Sequence, residues 1–494
     1  MTMRSRSLRP ALFLNRIKCI LAACVCLCIA ACGGGGGGAA TSVPTAVVVS
    51  ISAAPSAAIV GQAITLTWGT ANASACTASG AWSGQVATSG TQAVVALAVG
   101  TSTYTLTCNG VSNAASVAVS ADNGVGNVAS VTVDNGPAAA NGSINVPFVN
   151  VTICRPGTTV CQTLDHVLVD TGSYGLRLLA PLDAALALPA VQTPSGAAAG
   201  ECAQFVSGFA WGSVRQADVR IAGETASAIS IHVVNDAASS FATIPSDCSS
   251  AGSNLGSVAA LGANGILGIG LFKQDCGASC VNAAIAATYY SCTGTACRAS
   301  SMLLAQQVVN PAAAFAADNN GVLLVFPGVP SGGVTSLSGS LIFGIGTHAN
   351  NSILSEAVYR ANANGNFTTT YKGRAWTSSF IDSGSNGLFF SDRSLQTCAQ
   401  TGGFYCPPTP LALSAINSSF DGSTSNTVNF IIENADNLSP AITAASIGGT
   451  NGSRSRTSGN NAFDWGLPFF FGRRVFVAFD ASASPNGNGP YWAY

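Results

Sequence analysis

The chain has 494 residues, room for two or three folded units. Its formal net charge is −1 and only 8% of its residues are charged, which excludes a nucleic-acid partner and electrostatic capture of an acidic substrate as its working principle. Gly, Ala, Ser, Thr and Val abound while Lys, Glu and Met are scarce, a balance that favours short strands and turns over surface helices.

At the N-terminus Arg4, Arg6, Arg9, Arg16 and Lys18 precede an uncharged apolar run from Cys19 to Ala31. The run is shorter than the ~20 residues that span a bilayer, so it reads as a signal peptide. It ends in Ile29-Ala30-Ala31-Cys32, which resembles the lipobox of bacterial lipoproteins; a plain secretory signal cut near Ala31 is the alternative. The resemblance implies a lipid on the Cys32 sulfur and a lipid bilayer as partner. Gly33 stands where an Asp would argue for retention in the inner membrane, so the implied address is the cell envelope at the outer membrane. Residues 1–32 are thus assigned to signal and lipobox and residues 33–42 to a tether, whose six consecutive glycines, Gly33 to Gly38, have no capacity to fold.

Residues 43–121 carry short alternating strands at Val47-Val49-Ile51, Ile64-Leu66-Trp68, Tyr104-Leu106-Cys108 and Val117-Val119, the pattern of a β-sandwich. With Trp68 and the Cys76/Cys108 pair the segment resembles a small bacterial immunoglobulin-like domain, a spacer or adhesive module. Tyr104 lies four residues before Cys108 and departs from the usual tyrosine corner. Residues 122–141, rich in Gly, Asn and Ala, read as a linker. Strands dominate residues 142–494, with short helical candidates near Val281 to Ala287 and Met302 to Val309.

Five of the 17 cysteines lie in the signal or lipobox, and the remaining twelve suit a disulfide framework in an exported chain. Proximity pairs Cys76 with Cys108, Cys154 with Cys161, Cys202 with Cys248 and Cys398 with Cys406. Cys276, Cys280, Cys292 and Cys297 form a cluster with three possible pairings. Four such cysteines can hold zinc, but no flanking ligand pattern supports it, and no metal or cofactor is expected.

One short pattern occurs twice. Val169-Asp170-Thr171-Gly172-Ser173-Tyr174-Gly175-Leu176 and Ile381-Asp382-Ser383-Gly384-Ser385-Asn386-Gly387-Leu388 share an apolar strand, Asp, a hydroxyl residue, Gly, Ser and then Gly-Leu. An apolar strand ending this way sets a carboxylate on a tight turn, where Gly permits close approach and the hydroxyl can bond across to a partner turn. If the two turns meet, Asp170 and Asp382 cannot both ionise cheaply and share a proton. One then acts as base on a water while the other donates to a carbonyl.

This arrangement resembles the pepsin-like (retropepsin-related) aspartic peptidases. The resemblance implies an all-β, two-lobed domain over residues 142–494, with lobe 1 at about 142–330 and lobe 2 at about 331–494, acting on extended polypeptide. Gly265-Ile266-Leu267-Gly268 looks like the segment that backs the first turn. Phe463-Asp464-Trp465-Gly466, before Val475 to Asp480, looks like its second-lobe partner. Asp464 and Trp465 depart from the two aliphatics usual there, and the spacing to Phe479-Asp480 is slightly long. Gly339 to Gly344 resembles the first strand of the second lobe. The flap would fall at Gln204 to Ser213, where the family's tyrosine is missing and Phe205, Phe209 or Trp211, beside Gly212, stand in its place. The whole chain also resembles an uncharacterised group of bacterial lipoproteins, a domain of unknown function.

A serine-histidine triad has little to build on, since the histidines are His166, His232 and His348 alone and no nucleophile-elbow sequence lies near them. Two functions remain in view: a membrane-tethered aspartic endopeptidase, and a catalytically silent peptidase-like protein that binds a polypeptide ligand or adheres at the cell envelope.

Overall fold

Apolar and hydroxyl-rich stretches broken by Gly, Asn and Pro favour strands over helices, and the computed structural model is accordingly mostly β. It describes residues 46–120, 126–140, 142, 144–438, 442–451 and 462–494. The expected signal, the Cys32 lipidation site and the glycine tether lie outside the described residues. Helical candidates shrink to short turns at Ala278–Asn282 and Leu304–Gln306. None of the described helices is long and apolar enough to cross a membrane.

The N-terminal strands form a three-stranded sheet (Val48–Ala54, Ala63–Ala71, Gly90–Val95) and a five-stranded one (Ala57–Ile59, Val111–Ser120, Gly100–Cys108, Cys76–Gly80, Gly84–Val86). Period-two alternation turns Ile64, Leu66 and Trp68 of one, and Tyr104, Leu106, Val117 and Val119 of the other, into a single core. In the immunoglobulin pattern the disulfide joins the two sheets. Here Cys76 and Cys108 face each other on neighbouring strands of one sheet, and their bond staples that sheet.

The expected linker at 122–141 is corrected in its central part. Val128–Val133 is a strand of the largest sheet, between Pro147–Cys154 and Leu337–Phe343, because Ala129, Val131 and Val133 alternate and bury their side chains. Beyond Leu337–Phe343 the order runs Gly321–Val325, Arg474–Ala478, Tyr491–Ala493. Both faces of this central stretch are covered. Val322, Leu324, Leu341, Phe343, Val475 and Val477 enter the main core, while Leu323, Val325, Ile342, Phe476 and Ala478 enter the core of the N-terminal sheets. Two-sided burial is why these strands are apolar throughout.

From Pro147–Cys154 the same sheet continues into the first half of the site; the second half is built on a seven-stranded sheet that includes Arg374–Asp382 and Asp464–Gly466. Six disulfides join cysteines among the described residues. Four join the pairs expected by proximity, and the open cluster resolves into Cys276–Cys280 and Cys292–Cys297.

Candidate active site

Each Asp turn is wrapped around a short backing strand. Cys161–Asp170 runs parallel to Gly265–Ile269, aligning Val169 with Leu267 and Asp170 with Gly268, and Tyr174–Leu179 returns antiparallel along the other edge. Arg374–Asp382 and Leu388–Phe389 flank Asp464–Gly466 in the same way, with Ile381 beside Trp465 and Asp382 beside Gly466. Both backing glycines are sterically required: a Cβ on Gly268 would lie 2.7 Å from Tyr174 N, and one on Gly466 would lie 2.2 Å from Gly387 O. Ile266, Leu267 and Trp465 are buried beneath the turns. Trp465 fills its place by stacking on Phe463 at 4.4 Å and donating from Nε1 to Thr369 Oγ1 at 3.1 Å.

The two turns meet, and four reciprocal hydrogen bonds lock them. Thr171 Oγ1 donates to Ile381 O (3.0 Å) and Ser383 Oγ to Val169 O (2.7 Å), while Thr171 N donates to Ser383 Oγ (3.1 Å) and Ser383 N to Thr171 Oγ1 (2.9 Å). The carboxyls are treated alike. Gly172 N donates to Asp170 Oδ1 and Gly384 N to Asp382 Oδ1, each at 2.8 Å. Ser173 Oγ donates to Asp170 Oδ2 at 2.5 Å, and Ser385 Oγ lies 2.8 Å from Asp382 Oδ2. Each turn's glycine abuts the opposite carboxyl, for a Cβ on Gly172 would sit 2.6 Å from Asp382 Cγ and one on Gly384 2.7 Å from Asp170 Oδ1. Gly172 is exposed, so the pair opens to solvent.

Burial, the neighbouring charge of Asp170 and a hydrogen bond shared with Asp170 hold Asp382 well above the usual carboxylate range. A pair of this kind keeps one proton between its members. The sequence reading missed Tyr174, inside the first motif itself. Burial and the charges of Asp170 and Asp382 push its phenol far up, and its ring packs edge-on against Phe272.

Arg177 was also missed, although a lone Arg in the apolar strand Leu176-Arg177-Leu178-Leu179 signals that carboxylates must await it. It donates to Tyr174 O at 2.5 Å and bonds Glu201 at 2.7 Å and Asp275 at 3.2 Å. Tyr289 Oη donates to Asp275 at 2.5 Å, and His232 lies 3.3 Å from Glu201. Burial alone would raise Glu201, but Arg177 and His232 outweigh it and pull it below its ordinary value; burial and the Glu201 charge raise Asp275. Burial depresses His232 to about 4.

The flap expectation is corrected in its side chains. Ala198–Phe205 and Gly208–Ile221 do form a hairpin, turning at Val206-Ser207. Phe209 and Trp211, however, are buried in a satellite cluster with Phe241, Tyr290 and the Cys202–Cys248 bridge, because that hairpin has strands of its own to pack against. Gly212 gives passage to the Val233 carbonyl, 1.9 Å from where a Cβ would stand. Phe205 lies under the Arg177 guanidinium, 5.8 Å from the ring centre. Ser253–Asn254 pairs with Gly208 and Phe209, and Tyr289–Thr293 with the outer edge of Ala198–Phe205, so the hairpin is braced on both sides. Among the described residues one group, Cys398, Cys406 and Asp436, has metal-ligand spacing, but its two sulfurs are joined to each other and offer no thiolate.

Residues 123–494 match the protein family described as DUF3443, protein of unknown function. This chain belongs to the DUF3443 family. An aspartic proteinase from Irpex lacteus, known from its crystal structure, is similar to this DUF3443 protein with 17% sequence identity and a TM-score of 0.40, over 74% of this chain and 96% of that one. No curated protein matches the sequence.

Proposed function

We propose that this DUF3443 protein is a membrane-tethered aspartic endopeptidase of pepsin-like fold, hydrolysing extended polypeptide with a water activated by Asp170 and Asp382. The observation that carries the reading is the reciprocal packing of the two turns, each glycine against the other turn's carboxyl and four hydrogen bonds between them. In the singly protonated pair Asp382 holds the proton and Asp170 is the base. Asp170 takes a proton from the water as it attacks the peptide carbonyl, and Asp382 gives its proton to the carbonyl oxygen. Tyr174 stays protonated beside the pair. Six disulfides fit an oxidising compartment, and Cys32 is the proposed lipid anchor.

Incubation of the purified protein with unfolded substrates between about pH 3 and 7 tests the chemistry. Wild type should create new peptide ends, and Asp170→Asn and Asp382→Asn should create none while staying folded. Cleavage that survives in either variant removes the pair as catalyst. Cys32→Ser should release the protein from detergent-phase partitioning; a variant still membrane-bound removes the anchor.

A second reading, a silent binding or adhesion lipoprotein, is favoured by the hairpin braced on both edges with Phe209 and Trp211 buried. It becomes the better one if wild type retains unfolded polypeptide without cutting it anywhere in that pH range.

A further inference from the structure

The two halves of the site differ by one buried carboxyl. Opposite Leu168 the first backing strand carries Ile266, and at the corresponding place opposite Phe380 the second carries Asp464. Asp464 Oδ2 lies 2.7 Å from Ser385 Oγ, the same hydroxyl oxygen that lies 2.8 Å from Asp382 Oδ2. Its other oxygen is buried and has no hydrogen-bond partner among the described residues. None of the ion pairs among the described residues includes it. A carboxylate with one hydrogen bond and no cation is costly in an interior.

Ser385 has a single hydroxyl hydrogen and cannot donate to two carboxylates. If both were ionised, one of its two short contacts would set acceptor against acceptor. The Asp382 proton is engaged in the hydrogen bond shared with Asp170, so a proton on Asp464 is what resolves this, with Asp464 O–H donating to Ser385 Oγ and Ser385 O–H donating to Asp382 Oδ2. We propose that Asp464 is a positioning residue that keeps its own proton and so turns the Ser385 hydroxyl onto Asp382, leaving the three carboxyls with two protons and one negative charge. The inference rests on the reading of Asp170 and Asp382 as a working pair.

The ionisable groups that act on Asp464 are Asp382, through Ser385, and Asp170, through space. Burial outweighs the Ser385 hydrogen bond and pushes Asp464 up to about 8. Below that pH no third charge stands beside the pair. Above it, the Ser385 hydrogen is contested, and a new anion strengthens Asp382's hold on its proton.

The test is the infrared carbonyl stretch of protonated carboxylic acids in the full chain. Wild type minus Asp464→Asn, at about pH 6.5, should show one protonated-acid band that disappears with a midpoint near 8. If Asp464→Asn does not fold, Asp464→Ile takes its place in the difference, because Asp382 and Asp275 also hold protons in wild type. Absence of the band, or a midpoint near 4, overturns the proposal. In cleavage assays Asp464→Asn, whose amide still donates to Ser385, should preserve the position of the upper pH limb, where Asp382 loses its proton. Asp464→Ile, copying the first half, should move that limb upward by about half a pH unit, because Ser385 loses the donor that strengthens its own bond. Equal shifts in both variants, or none in Asp464→Ile, overturn the proposal. The infrared result needs no turnover, so a protein that never cleaves would sink the peptidase reading and leave the protonation of Asp464 to be decided on its own.

Discussion

His232 should make this fold sensitive to acid. The imidazole is fully buried on Glu224–Val234, neither ring nitrogen has a hydrogen-bond partner among the described residues, and Glu201, Arg177 and Asp236 are the charges that act on it. Burial dominates, and the ring stays neutral down to about pH 4, whereas an unfolded histidine takes its proton near 6.5. Between these values the unfolded chain binds more protons than the folded one, so stability is full above 6.5 and is lost as pH falls towards 4. At pH 4 the loss amounts to about 3 kcal/mol, a factor of more than about 100 in the folding equilibrium. His232→Gln keeps a polar group for Glu201 and cannot titrate. Denaturant unfolding followed by tryptophan fluorescence at pH 7 and pH 4 should therefore show wild type losing about 3 kcal/mol more than the variant. Equal losses in the two proteins would refute the argument, as would an imidazole found protonated at neutral pH by nitrogen NMR.

Three further outcomes follow from the site. Gly172→Ala drives a methyl into the Asp382 carboxyl and should lower cleavage by at least about 100-fold, read as turnover beside a melting curve that shows the protein still folded. Thr171→Val removes two of the four bonds between the turns and leaves Ile381 O and Ser383 N buried without a partner, for a loss of about 1–3 kcal/mol in denaturant unfolding. Asp464→Asn should be more stable than wild type at pH 7 by up to about 4 kcal/mol, because the folded carboxyl keeps its proton to about 8 while the unfolded one releases it near 3.8; the advantage should shrink as pH falls and vanish below about 4.

Much of the site was legible because its chemistry is local in sequence. Asp170 to Ser173 and Asp382 to Ser385 each occupy four consecutive positions, and their backing segments carry glycines that can be read directly. What escaped depends on strand pairing. Arg177, Glu201 and Asp275 come together only because Tyr174–Leu179 packs near a hairpin that begins some twenty residues later and a loop nearly a hundred residues on. Asp464 was visible as a departure from pattern, but its contact with Ser385 required the parallel register of Phe380 with Asp464. The aromatics of the hairpin were misassigned for a related reason: Phe209 and Trp211 look available until the Cys202–Cys248 bridge and the Tyr289–Thr293 strand bring a core to them. Val128–Val133 was mistaken for linker because Gly and Asn on either side of it outweighed three alternating small apolar residues.

The two-sided central sheet separates the boundary of inheritance from the boundary of folding. The family match begins at residue 123, after the last N-terminal strand, Val111–Ser120. A chain trimmed to that match would uncover Leu323, Val325, Ile342, Phe476, Ala478, Tyr491 and Ala493, all fully enclosed in the intact protein by the N-terminal sheets. An apolar surface of that kind on an excised fragment drives self-association. Relatives that carry the matched region behind a different N-terminus must therefore either roof this face with something else or place polar side chains at these positions, and comparing them there would show whether the roof was acquired or lost.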